Sequence, residues 1–463
     1  MKVIDALVDF AIRAKWEEFS PEVQQTVKNI MLDGVGDILS GLASDKGKIG
    51  IEMAKLIGGN PQSSVFGVGL KTSAPTAAFA NSELINGLDF DPIPHLSIII
   101  LPAILAVAEA EHSSGEELLT ALAVGAEVAF RLMSCLSTAV IIAASKLGKN
   151  PDIFGSNFEC IIGAALANAM LMKLDREEMK QAIAIAAYYC PIPTSGDWES
   201  TLPKSLIKYV PASRIAQSSV EAAMLARFGY TGNTETLDRE YGFPLILSRN
   251  KEAWDPQRVT NGLGQFWLIE HLEFKKYPCC RFLHTALDAF YKLKEEYRLT
   301  QYDIREIRCN ISSFNAHPDQ YCVTNQVDAQ FSGPYSFAVA ACGFEPGPVW
   351  QDKTVLENAE VRSFMPKVKM VVDPRFKEYK EKDRDSWYGG VEIDLEDGRT
   401  LTAEELYPKG TRKNPFSEEE NKERFRRLSR VVLPDNKIEN AYRLLINLQD
   451  QENLEELIDN VTL

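Results

Sequence analysis

The stretch 274-FKKYPCCRFLHTALDAF-290 sets two lysines, an arginine, a tyrosine, two adjacent cysteines and a histidine among apolar residues. Three chemistries compete for that mixture: a metal or iron-sulfur site, a thiol redox site, or a pocket for an anion. Adjacent cysteines direct their side chains differently, so Cys279 and Cys280 make a poor start to a cluster, and two packed thiols are the simpler reading. The chain's 8 cysteines contain no C-x-x-C, and its 5 histidines (His95, His112, His271, His284, His317) show neither H-E-x-x-H nor zinc-type spacing with cysteine. A zinc site is therefore not expected, and packed thiols and an anion pocket both stay open for this stretch.

Three further polar clusters interrupt apolar patterns: 86-NGLDFDPIPHLS-97, 204-KSLIKYVPASRIAQSS-219 and 329-AQFSGPYSF-337. With the first stretch they supply Asp89, Asp91, His95, Lys208, Lys275, Lys276, Arg281, His284, Ser332 and Tyr335. That inventory offers a base, an acid and several cations. No phosphate loop accompanies it, because 67-GVG-69 lacks the remaining glycine of a dinucleotide fingerprint, and no G-x-S-x-G elbow occurs. Each residue also has an ordinary role open to it. Asp89 and Asp91 could cap a helix starting near Ser97, His95 and His284 could satisfy structural hydrogen bonds, and the lysines could snorkel to the surface.

The elements that must position these groups are mostly helical up to about residue 265. In 20-SPEVQQTVKNIMLDGVGDILSG-41, Ser20 can cap, Pro21 suits the first turn, and Val23, Val27, Ile30, Met31, Val35, Ile38 and Leu39 share one face. Asp175 and Glu178 have capping-box spacing ahead of an Ala/Ile-rich run to Tyr189, and 117-ELLTALAVGAEVAFRLM-133 is apolar on most sides, as a central helix would be. Around residue 300 the period becomes two, in 304-IREIRCNISSF-314 and 367-KVKMVVD-373, and 391-VEIDLEDGRTLTA-403 reads as a hairpin turning at Asp397-Gly398. Helical pattern returns after residue 417. The expected architecture is mainly α with an α+β second domain: a discontinuous helical-bundle domain over 1–267 and 406–463, and a smaller inserted α+β lid domain over 268–405, with the site between them.

Composition narrows the partners. A net charge of -15 repels nucleic acid and anionic membranes, so any positive site must be local. The N-terminus MKVIDALVDFAIRAKWEEF reads as an amphipathic helix rather than a signal peptide, and the apolar run Leu96 to Ala108 is short for a bilayer and interrupted by Pro102. A cytoplasmic location with reduced, mostly buried thiols is expected.

The chain resembles the MmgE/PrpD family, which includes 2-methylcitrate dehydratases, cis-aconitate decarboxylases and iminodisuccinate epimerases. The resemblance rests on 66-FGVGLKTSAPTAAFANSELINGLDFD-91, 115-GEELLTALAVGAEVAFRL-132, 275-KKYPCCRFLHTALDA-289, 329-AQFSGPYSFAVA-340, 352-DKTVLENAEVRSFMPKV-368 and 373-DPRF-376, in that family's order. It implies a helical domain with an α+β lid, a homodimer, and a metal-free active site at the domain interface. Asp89 resembles the first aspartate of the family's D-F-D-D-T block and His95 the histidine of its H-P-S block. Lys208 falls where 208-KYVPASRIAQS-218 matches K-R-L-H-x-G-R-A-A-Q-S, Lys275 opens K-x-Y-P-C-C, and Tyr335 closes F-S-x-x-Y. Pro92, Ile93, Leu96, Pro211 and Ser213 depart from those blocks, so an active-site hydroxyl and a carboxylate are missing.

These residues suit a di- or tricarboxylate, whose carboxylates and developing carbanion need local positive charge. The resulting expectation is a cofactor-independent lyase of the dehydratase type, with His95 as base, Asp89 as its orienter, Tyr335 as acid, and Lys208 and Lys275 as catalytic cations. Arg281, Lys276, Ser332, His284 and Asp91 are expected to bind substrate. Reprotonation would instead make an epimerase or isomerase, loss of CO2 a decarboxylase, and Pro92 with Ile93 leave a non-catalytic carboxylate-binding protein as the alternative of another class.

Overall fold

The computed structural model describes residues 2–146, 157–191, 198, 201–239, 242, 254–312 and 318–463. Among the described residues the longer helices of the N-terminal part are α1 (Val3–Arg13), α2 (Pro21–Ser40), α3 (Asp45–Ile57), α4 (Ala74–Ile85), α5 (Ser97–Ala110), α6 (Gly115–Lys146), α7 (Cys160–Leu171), α8 (Arg176–Tyr188) and α9 (Ala212–Arg227). The start of α2 follows its sequence signals: Ser20 Oγ accepts the Val23 N–H at 3.2 Å, with Pro21 in the first turn. At α8 the Asp175–Glu178 capping box is closed in both directions. Both devices satisfy amide donors that a helix start leaves open.

Helix α6 is long and apolar enough over Gly115–Leu136 to cross a bilayer, yet 83% of its apolar window is buried inside the fold, so it is the core helix that the pattern of 117–133 predicts. It closes on α7 through glycines, since a Cβ at Gly125 would lie 2.9 Å from the Gly163 carbonyl oxygen. The stretch expected as one helix over 1–19 divides: α1 ends at Arg13, and Trp16–Glu18 form a separate turn. A short hairpin, β1 (Ser63–Val65) with β2 (Leu70–Thr72), interrupts the helices in a region whose pattern reads as nearly all helical.

The alternating segments build one mixed sheet from β3 (Ile304–Ile311), β4 (Val368–Val372), β5 (Gly389–Leu395) and β6 (Thr400–Glu405), in the order β4-β3-β5-β6. β3 runs parallel to β4 and antiparallel to β5, and the β5–β6 hairpin pairs Asp394 with Thr400. Gly398 supplies the positive φ that its turn requires, at +90°. Residues 313 and 314 of the predicted strand lie outside the described residues. Helices α10 (His284–Tyr297) and α11 (Gly333–Ala341) pack with this sheet in a core running from Tyr277 to Leu395. A larger core combines residues from Val3 to Leu272 with Phe425 to Val461, contributed by α12 (Glu418–Ser429), α13 (Asp435–Ile446) and α14 (Glu455–Val461). The chain is mainly α with an α+β second part, and the segment 273–276 runs between the two cores.

Candidate active site

The loop 86–96 joins α4 to α5, and one antiparallel bridge ties it to the segment between the cores: Ile93 N–H donates to Glu273 O at 2.8 Å and Glu273 N–H to Ile93 O at 2.9 Å. Ile93, one of the departures in the sequence, thus acts through its backbone. The bridge sets Lys275 against Asp89. Lys275 Nζ donates to Asp89 Oδ2 at 2.7 Å and to Asp89 O at 2.8 Å, while Lys208 Nζ donates to Asp89 Oδ1 at 3.1 Å. Asp89, Lys208 and Lys275 are 1%, 2% and 0% exposed. Asp89 and Lys208 both hold left-handed backbone, at φ of 62° and 55°, a conformation that persists in such residues only where the surroundings fix it.

Charge pairing decides how these groups titrate. Burial works to raise the Asp89 carboxyl, but Lys275 and then Lys208 and His95 hold it well below the usual range. Burial pushes the Lys208 ammonium down to about 8 against the pull of Asp89 and Asp91, whereas for Lys275 the same carboxylates overcome burial and raise it. The trio carries a net charge of about +1 near neutrality, and each ammonium has three N–H donors, so donors remain for a ligand carboxylate after Asp89 is satisfied.

His95 sits beside this trio with its own carboxylate. Its Nδ1 bonds Asp91 Oδ2 and lies 2.9 Å from the Tyr209 hydroxyl, which accepts from Asn86 Nδ2 at 3.1 Å. The His95 and Tyr209 rings lie 4.5 Å apart at 30°. With both partners at Nδ1, the imidazole presents Nε2 for chemistry, and the His95 side chain keeps 16% of its surface exposed. Burial opposes ionisation of Asp91, yet His95 and Lys275 hold its carboxyl below the normal range. Lys46 extends the network, donating to Asn86 Oδ1 at 2.7 Å. Asn86 and Tyr209 were not singled out in the sequence, although both lie within the polar stretches 86–97 and 204–219.

Several expected roles are reassigned by this geometry. Asp91, not Asp89, orients His95, and neither caps α5, whose N-cap position is Leu96 and carries no side-chain cap. Tyr335 is 1% exposed in the second core, and its hydroxyl donates to the Trp350 carbonyl, so it is not brought to the His95 cluster. Arg281 is committed to Glu273, at 2.9 Å from Nη2 and 3.0 Å from Nε, and so anchors the bridging segment instead of facing substrate. His284 Nε2 bonds the Cys279 carbonyl at 3.1 Å, and burial with Arg281 beside it depresses its basicity strongly. Lys276 pairs with Asp288 at 3.3 Å, and Ser332 caps α11 by accepting the Tyr335 N–H at 3.1 Å. Burial pushes the Cys279 thiol well up, as suits a packed cysteine. Among the described residues no group of three or more His, Cys, Asp or Glu side chains could hold a metal ion.

The MmgE/PrpD N-terminal domain matches residues 5–254 and the MmgE/PrpD C-terminal domain residues 277–448. The chain belongs to the MmgE/PrpD family. Asp89, Asp91, His95, Lys208 and Tyr209 come from the first MmgE/PrpD match, and Lys275 stands just before the second. Cis-aconitate decarboxylase of Homo sapiens is 27% identical over 454 residues, covering 93% of this chain and 88% of that protein. The cis-aconitate decarboxylase-like protein oryM of Aspergillus oryzae is 25% identical over 98% of this chain and 95% of its own length. Cis-aconitate decarboxylase of Aspergillus terreus is 23% identical over 99% of this chain and 95% of its own length.

Proposed function

We propose that the protein is a cofactor-independent lyase acting on a small di- or tricarboxylate, and that its reaction is loss of CO2 from an unsaturated tricarboxylate such as cis-aconitate. The observation that carries this is His95, held at Nδ1 by Asp91 and Tyr209, beside a buried ion cluster of net positive charge. Lys208 and Lys275 bind substrate carboxylates with their spare N–H donors. The bond from the carboxymethyl carbon to its carboxylate breaks, and the electron pair forms a new terminal C=C. The former C=C pair moves onto the neighbouring carbon, where the adjoining carboxylate and the cations stabilise it. His95 Nε2 then delivers a proton there, with Asp91 stabilising the imidazolium beforehand.

Dehydration of a hydroxylated relative would use the same histidine as base, but departing hydroxide needs an acid. Tyr335, the group expected to supply it, bonds Trp350 O instead. That contact favours decarboxylation over the 2-methylcitrate dehydratase reading. A cytoplasmic location and a homodimer belong to the same proposal, the first resting on a cysteine usage that suits a reducing compartment and the second on resemblance.

The test is incubation in deuterated water with cis-aconitate, 2-methylcitrate and an aminodicarboxylate. Expected are CO2 release from cis-aconitate, one deuterium on the carbon next to the retained carboxylate, and about 100-fold slower turnover in His95→Gln, the usual share of a general acid-base group. Water loss from 2-methylcitrate without CO2 release would reassign the enzyme to the dehydratases. Exchange into none of the three would leave a binding protein.

A further inference from the structure

The C-terminal helix α12 reaches the active-site loop through one side chain. Arg424 donates from Nε to the Lys275 carbonyl at 2.8 Å and from Nη2 to the Phe90 carbonyl at 3.3 Å, and pairs with Asp33 and, at 3.6 Å, with Asp37 of α2. Its side chain is 12% exposed, with the guanidinium 5.8 Å from the Phe90 ring centre. One turn further on, Leu428 joins Leu88 and Phe90 in a small apolar cluster of their own. The helix is thus seated on the segment that carries both site carboxylates.

Phe90 is the residue between Asp89 and Asp91, so its carbonyl is the hinge between the carboxylate that pairs the lysines and the carboxylate that holds His95. A rotation there would displace both. The Lys275 carbonyl is the corresponding handle on the other side of the cluster. A guanidinium is a planar fork of five donors, able to grip two carbonyls while neutralising a carboxylate, which an ammonium cannot do in the same geometry. The left-handed backbone of Asp89 (φ 62°) needs such over-determination. Asp37 is electrically part of the same cluster: burial and then Asp91 push its carboxyl well up.

We infer that Arg424 is a positioning residue of the active site, fixing the Asp89–Phe90–Asp91 loop relative to Lys275 from the C-terminal helix. The proposal rests on the site reading given above, and its test keeps the two separable. Arg427 on the same helix provides the control, because its Nη1 donates to the Pro346 carbonyl at 2.6 Å, which belongs to neither site segment. Three variants are compared, Arg424→Gln, Arg424→Lys and Arg427→Gln, by kcat and KM on cis-aconitate, by urea unfolding, and by amide hydrogen exchange of peptides spanning 86–96.

Arg424→Gln should lower kcat by about 100-fold, the scale expected when reacting groups shift by about 1 Å, with KM changed far less. Its 86–96 amides should exchange at least ten times faster, and Arg427→Gln should show neither effect. Arg424→Lys should recover unfolding stability towards wild type, because its charge still faces Asp33, without recovering kcat. Loop exchange in Arg424→Gln equal to that in Arg427→Gln, or kcat falling only in step with stability, would overturn the assignment. If the wild type turns over no substrate, the exchange difference alone decides Arg424, and it is the decarboxylase reading that fails.

Discussion

Asp89→Asn removes one charge and leaves two buried ammonium groups without their counter-ion. Asparagine tolerates left-handed backbone as aspartate does, so the φ of 62° does not confound the result. Even with Asp89 present, burial shifts Lys208 from 10.5 to about 8, which corresponds to about 3 kcal/mol against its charged form. Removing one partner of a buried ion pair typically costs about 3–5 kcal/mol, since the remaining charge is uncompensated. Asp89 is 1% exposed and lies 2.7 Å and 3.1 Å from the two Nζ atoms, so the upper half of that range is expected at pH 7. The pH dependence gives a sharper sign. Asp89 is one of the groups that hold the Lys208 ammonium up at about 8, so without it the folded value falls further, and the variant's extra cost is present only below about pH 8 and vanishes once Lys208 is deprotonated in both proteins. The gap between variant and wild type should therefore narrow by about 1 kcal/mol between pH 7 and pH 9.5, leaving mainly the Lys275 contribution. Urea unfolding followed by tryptophan fluorescence at both pH values measures it. A penalty under about 1 kcal/mol at pH 7, or one that grows with pH, would show that Asp89 does not neutralise the lysines.

The same lysine predicts an alkaline limb in the rate profile. As Lys208 loses its proton near pH 8, kcat/KM should fall, and Lys208→Arg should carry the limb beyond pH 10 because a guanidinium stays charged there; an unmoved limb assigns it to another group. Tyr335→Phe should leave turnover within a factor of two while lowering stability by about 1–3 kcal/mol, the cost of leaving the buried Trp350 carbonyl without its donor. A large kcat loss with intact stability would restore the tyrosine to the chemistry.

Local interactions were legible in the chain because they act over a few residues. The Ser20 cap of α2, the Asp175–Glu178 box of α8, the core face of α6 and the Asp397-Gly398 turn each follow from side chains and backbone preferences within one element. The β1–β2 hairpin escaped because three-residue strands are too short to establish a period. The residue types of the site were equally visible: an aspartate pair, a histidine and lysines stand in polar interruptions of apolar runs.

Their partners were not visible, because partnership is set by contacts between distant segments. Asp89 and Asp91 are two positions apart in one loop, and nothing local states which meets His95 and which meets the lysines. That choice is made by the left-handed turn at Asp89, the Ile93–Glu273 bridge and the Arg424 fork, which join loop 86–96 to residues some 180 and 330 positions away. For the same reason Arg281, His284, Ser332 and Tyr335 had the right chemistry for a site and another destination: a charged or polar side chain carried into the interior takes the nearest partner that satisfies it, and Glu273, Cys279 O, Gln320 O and Trp350 O were nearer. The sequence by itself determined most of the longer helices and strands, the family and the stock of ionisable groups. The tertiary structure alone decided which of those groups neutralise one another and which are left to meet a substrate, because burial makes every unpaired charge costly and only the fold determines what lies within reach.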